Sequence, residues 1–198
     1  MAVSRYDDRT ALVVVDVQND FADPAGNLSV RGGEAIIPEV NDAVRNASEV
    51  GALVIATQDW HPESTPHFAK DGGVWPVHCV GGTWGAELHP SLRLPPDTAR
   101  VRKGQNGEDG YSGFTMRDPT TAEQRPTELE RLLRGAGIQR VVICGLATDY
   151  CVKETALDAA HRGFEVVILS TAVAAVDRHP SDGERAIAEM IEAGIRVS

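Results

Sequence analysis

Runs of apolar residues alternate with helical patterns along the whole chain. Five runs read as strands: Ala11–Val15, Ala52–Thr57, Ala99–Arg102, Val141–Cys144 and Glu165–Leu169, with a short sixth near Ile195–Val197. Most are rich in Val and Ile and too continuous for a strand with one wet face. That suits parallel strands covered on both sides. Between them, Ile36–Val50 repeats Ile36, Ile37, Val40, Val44 and Ala47 near a 3.6-residue period. Thr127–Gly137, Tyr150–Arg162 and Asp182–Ala193 carry similar stripes, each followed or closed by glycine. Strand–helix alternation predicts an α/β fold with a parallel sheet. Two stretches interrupt it, Trp60–Pro96 and Lys103–Arg125. Long irregular segments inside a compact domain are usually functional. No repeat or linker divides the 198 residues, so a single domain over 1–198 is expected.

Composition narrows the function. Hydrophobic residues make up 42% and charged residues 24%, an ordinary globular balance. The net charge of −10 disfavours nucleic acid and anionic membrane surfaces as partners. No apolar run approaches the ~20 residues that span a bilayer. The first ten residues carry no secretory pattern, and three unpaired-looking cysteines, Cys79, Cys144 and Cys151, suit a reducing cytoplasm.

Ligands of open α/β sheets bind beyond the carboxyl ends of the strands, so the residues found there carry the chemistry. The first run leads into Asp16, the second into Asp59, the third into Lys103, and the fourth through Gly145 to Cys151. Singly, each has a plain reading as a turn residue, cap, solvated charge or small hydrophobe, and Cys144 is read as inert packing. Jointly they suggest a thiol nucleophile. In Gly145–Cys151, Thr148 or Asp149 is expected to cap the next helix and set Cys151 in its first turn. The helix dipole there favours thiolate, and free N–H groups face a developing oxyanion. The corner is analogous to a nucleophile elbow, although GxSxG is absent. Asp16 is the candidate base and Lys103 its holder, with a merely structural ion pair as the alternative.

A second constellation comprises Asp59, His61, His67 and His78. A carboxylate and two or three imidazoles fit one divalent metal, zinc first, with iron or manganese as alternatives. The plain alternative is that His67 and His78 cross-link an irregular loop. His89, His161 and His179 lack such company and are read as surface or packing residues. Aromatic residues are only 5%, yet Trp60, Trp75 and Trp84 share one loop and Phe21 follows the first strand. Flat side chains beside a metal and a nucleophile suit a small planar ring, though Trp60 and Trp84 also suit simple loop packing.

The motifs together resemble a known family. They are DVQNDF at 16–21, DWHP at 59–62, WPVHCV at 75–80, KG then YSGF over 103–114, and GLATDYCVKETALDA at 145–159. They are similar, in order and over nearly the whole chain, to the nicotinamidase/pyrazinamidase branch of the isochorismatase-like cysteine hydrolases. The resemblance implies a three-layer α/β/α fold with a six-stranded parallel sheet. It implies a triad of Asp16, Lys103 and Cys151, and metal ligands Asp59, His61 and His78. His67, eight residues past Asp59, becomes a fourth ligand. It also implies an oxyanion site at the N–H groups of Ala147 and Cys151, with a cis peptide at Leu146–Ala147. Phe21 and Trp75 would flank a pyridine ring, and Tyr111 would line the pocket. The implied activity is hydrolysis of nicotinamide, and of pyrazinamide, through a cysteine acyl-enzyme in NAD salvage, by a monomer or homo-oligomer. Isochorismatases generally lack the cysteine, and N-carbamoylsarcosine-type amidases do not rely on the metal site, so Cys151 and the Asp59/His61/His78 set count against both. A silent binding protein would be expected to have lost a triad member.

Overall fold

The structure, a computed structural model, describes residues 6–198. The first ten residues, expected to hold no secretory signal, begin outside the described residues.

The elements follow in order as strand β1 (Thr10–Val15), short helix α1 (Asn19–Ala22), helix α2 (Ile37–Glu49), β2 (Leu53–Asp59) and β3 (Ala99–Lys103). Then come β4 (Thr115–Arg117), β5 (Gln124–Pro126), α3 (Leu129–Gly135), β6 (Arg140–Leu146), α4 (Lys153–His161), β7 (Glu165–Ala174), α5 (Asp182–Glu192) and β8 (Arg196–Val197). All six expected strands are present and form one sheet, in the order β3-β2-β1-β6-β7-β8. Every pairing in it is parallel.

The continuous apolar runs have the expected cause. All six residues of β1 are buried, because both faces of the sheet are covered. Leu12, Val14, Val54, Ala56 and Val142 point to the side where α2 packs Ile37, Val40, Val44 and Ala47. Ala11, Val13, Ile55, Val141 and Ile143 point to the other, against Leu129 and Leu133 of α3, Ala156 and Ala159 of α4, and Met190 of α5. The layers are therefore helix, sheet, helix.

Chain order reverses between β1 and β6. The crevice at such a switch point is where open α/β sheets bind ligands. Here β6 crosses unusually close to β1: a Cβ on Gly145 would overlap the backbone of Val15, and Gly145 has φ +113°. Only glycine accepts both conditions. Asp16 and the Cys151 corner leave the sheet on either side of this contact.

The long segment after Lys103 differs from expectation. It is not wholly irregular: β4 and β5 pair as a small antiparallel ribbon. Their three-residue strands, turning through Asp118–Glu123, are too short and too polar to show a period-2 apolar pattern. Among the described residues, no helix is long and apolar enough to cross a membrane.

Candidate active site and metal centre

Three strand ends and one turn build the site. Asp16 follows β1 in a left-handed turn at φ +48°, a conformation Asp tolerates better than most residues. On β2 and β3, Asp59 and Lys103 are register partners, so their side chains leave the same face side by side. After β6, the Leu146–Ala147 peptide is cis, and Thr148–Val152 form a π-helical turn that carries Cys151.

These elements meet around one ammonium group. Lys103 is buried, with Nζ 2.9 Å from Asp16 Oδ2, paired with Asp59 Oδ1, and donating to Cys151 Sγ at 3.5 Å. A carboxylate oxygen of Asp16, one of Asp59 and Cys151 Sγ lie within 4.8 Å of one another. Burial alone would discharge Lys103, but Asp16, Asp59 and Cys151 more than offset it and hold its pKa well above the usual range. For Asp59 burial acts to raise the pKa, yet Lys103 and the adjacent imidazoles hold the carboxyl well below the usual range. Asp16 has less compensation: burial raises its pKa, Lys103 lowers it, and Asp59 adds to the rise.

Two expectations for the corner are corrected. Neither Thr148 nor Asp149 caps a helix; no side-chain cap bond exists there. Asp149 instead accepts the backbone N–H groups of Val176 and Asp177, each at 2.9 Å, which ties the corner to the loop after β7. Nor does Cys151 favour thiolate at rest. Burial pushes its thiol well above the usual range, and two nearby carboxylates add to that against Lys103. A helix dipole does not outweigh desolvation at a sulfur this buried.

The histidines gather on the far side of Asp59. His61 N–H donates to Cys79 O and Gly81 N–H donates to His61 O, so the segment carrying His78 runs alongside His61. His61, His67 and His78 each offer a ring nitrogen within 4.8 Å of the others. Asp59 Oδ2 is 3.9 Å from Nε2 of both His61 and His78. His78 Nδ1–H donates to Pro76 O at 2.8 Å; a carbonyl only accepts, so Nε2 keeps its lone pair toward the cluster.

The donor set fits a divalent metal. Among the described residues, neither ring nitrogen of the buried His61 has a hydrogen-bond partner, an expensive arrangement without a ligand. Gly104, at φ +86°, lies so close that a Cβ there would sit 2.7 Å from His61 Nδ1. Burial, with the other imidazoles next, pushes His67 down to about 4, and burial lowers His78 against the opposing pull of Asp59 and the Pro76 carbonyl, which favours the neutral form that metal ligation requires. Three imidazoles and a carboxylate oxygen suit a first-row divalent ion.

A cavity of about 30 Å³ joins the two clusters. Asp59, His67, His78, Ala147 and Cys151 all line it, with Phe21, Trp75 and Tyr111. Trp75 Nε1–H donates to Tyr111 Oη at 3.0 Å. The candidate triad, metal-ligand and ring-binding residues therefore converge, including His67. Tyr150, Val176, Leu28 and Val30 also line the cavity and were not anticipated. Tyr150 adjoins Cys151 and was legible by position; the others come from loops without a motif. A larger concavity of about 760 Å³ lies between α2 and residues 91–95, away from all of these.

The remaining residues divide. Cys144 is buried with its thiol pushed up to about 12 by desolvation, in keeping with inert packing. His89 is buried and faces Asp23 at 3.7 Å, whereas His179 is exposed. Trp60 packs beneath the Arg102 guanidinium at 3.6 Å, but Trp84 is 52% exposed rather than a loop core.

A model of the isochorismatase domain matches residues 10–198. The chain belongs to the isochorismatase family. Among its relatives in that family, the nicotinamidase of Escherichia coli (strain K12) is 36% identical over 200 residues, covering 93% of this chain and 92% of its own. The crystal structure of the pyrazinamidase of Pyrococcus horikoshii in complex with zinc is 46% identical, with a TM-score of 0.86, covering 96% of this chain and 98% of that one. That of PnC1 from L. infantum in complex with nicotinate is 38% identical, with a TM-score of 0.89, covering 100% and 96%.

Proposed function

We propose that this protein is a metal-dependent nicotinamidase, a single cytoplasmic domain over residues 1–198. It hydrolyses nicotinamide to nicotinate and ammonia, and pyrazinamide in the same way, and so serves NAD salvage. One observation carries the reading: Cys151, in contact with the Lys103–Asp16 pair behind it, lines the same aromatic-walled cavity as Asp59, His67 and His78. The relatives named for nicotinamide and pyrazinamide support the substrate class.

Asp59, His61, His67 and His78 would hold one divalent ion, zinc in the first instance. Bound there, it would supply a Lewis-acid site for a ring nitrogen. Phe21 and Trp75 flank the ring, and Tyr111, fixed by Trp75, closes the wall. Asp16 takes the proton of the Cys151 thiol; burial makes this carboxylate a stronger base than an exposed one. Lys103 steadies the sulfur as it gains charge. The sulfur bonds to the amide carbon, and the carbonyl electron pair moves to oxygen, which faces the N–H groups of Ala147 and Cys151. As that pair returns, the C–N bond breaks, Asp16 passes its proton to nitrogen, and ammonia leaves. Water then gives a proton to Asp16 and attacks the thioester. The C–S bond breaks, nicotinate is released, and the thiol is reprotonated from Asp16.

The nearest competitor is an amidase for ureido acids on the same fold. Purified protein supplied separately with nicotinamide, pyrazinamide and an N-carbamoyl amino acid is expected to release ammonia from the first two only. Release from the ureido compound alone would overturn the assignment.

A further inference from the structure

Thr57 lies in β2 and is wholly buried. Strand period puts it on the face of Ile55, which is in the apolar core, and of Asp59. Its register partner on β3 is Val101. Valine would fill nearly the same volume here without a hydroxyl to satisfy. The hydroxyl has a definite use: Oγ1–H donates to Asp16 Oδ1 at 2.6 Å. Asp16 Oδ2 lies 2.9 Å from Lys103 Nζ in an ion pair. Lys103 is also drawn toward Asp59 and Cys151, so it does not fix the carboxylate by itself. The terminal torsion of an aspartate is intrinsically broad.

We propose that Thr57 is a positioning residue for the reaction: its hydroxyl occupies Oδ1 of Asp16 and turns Oδ2 toward Cys151 as the proton acceptor. The inference rests on the reading of Asp16 as that acceptor. Thr57 does not line the cavity, so its effect belongs to the chemical step and not to binding.

The test compares Thr57→Val, Thr57→Ala and Thr57→Ser in the full-length, metal-loaded protein, with Asp16→Asn alongside. Thr57→Val and Thr57→Ala are expected to lower kcat for nicotinamide by about 10–100-fold, the scale of a misplaced catalytic group, with KM within about twofold. Thr57→Ser, which keeps the donor, is expected to stay within about threefold of the parent kcat. Alkylation of Cys151 by iodoacetamide, read by peptide mass mapping, is expected to slow in the hydroxyl-free variants and not in Thr57→Ser. This second readout needs no substrate. Parent-like kcat in Thr57→Val or Thr57→Ala, equal losses in all three variants, or a rise in KM at unchanged kcat would each overturn the inference. An inactive Asp16→Asn beside an active Thr57→Val defeats this inference alone. An active Asp16→Asn defeats the reading beneath it.

Discussion

Cys151→Ala is expected to lower nicotinamide turnover by about 10⁴-fold or more, because the thioester route then has no nucleophile. Binding of the ring is expected to persist, since Phe21, Trp75, His67 and His78 still line the cavity. Ammonia release measures the first effect and calorimetric titration with nicotinamide the second. The variant removes one small buried side chain and leaves the Lys103 pairs with Asp16 and Asp59 in place. A general loss of fold is therefore not the expected cause. Near-parental turnover by Cys151→Ala would mean that water attacks the amide directly, and the roles given to Asp16 and Lys103 would fall with it.

His61→Ala is expected to cost metal retention and activity together. Among the described residues neither buried ring nitrogen of His61 has a hydrogen-bond partner, and Nε2 lies 3.9 Å from Asp59 Oδ2. Loss of a direct ligand is expected to weaken zinc affinity by at least about 100-fold, more than the loss of a supporting hydrogen bond around a ligand. Metal analysis after dialysis reads the retention. Ammonia release is expected to fall in parallel and to recover in part with excess zinc. Stoichiometric zinc in dialysed His61→Ala would remove this histidine from the ligand set.

Much of this architecture was legible in the sequence, for identifiable reasons. The six parallel strands announce themselves because each is buried on both faces and must be apolar throughout, as β1 is. Asp16, Asp59, Lys103 and Cys151 are legible because each ends or follows such a run, and parallel topology brings those ends to one edge. What escaped depends on partners distant in the chain. The tie from Asp149 to Val176 and Asp177 spans 27 and 28 residues and replaces the local cap that the Thr–Asp pair suggested. The upward push on the Cys151 thiol comes first from burial, which neighbouring residue types do not reveal. Thr57 looked like one more β-branched strand residue. Its importance is visible only once Asp16 is found 2.6 Å away. The β4–β5 ribbon stayed hidden because three-residue strands carry too little pattern.

The most direct test of the account is to quench the protein during nicotinamide turnover and map the peptide that contains Cys151 by mass spectrometry. The expected result is a nicotinoyl thioester on Cys151, absent without substrate and absent in Cys151→Ala, while Cys79 and Cys144 remain unmodified. Rapid release of ammonia from nicotinamide with no acyl group trapped on Cys151 under any quench would contradict it.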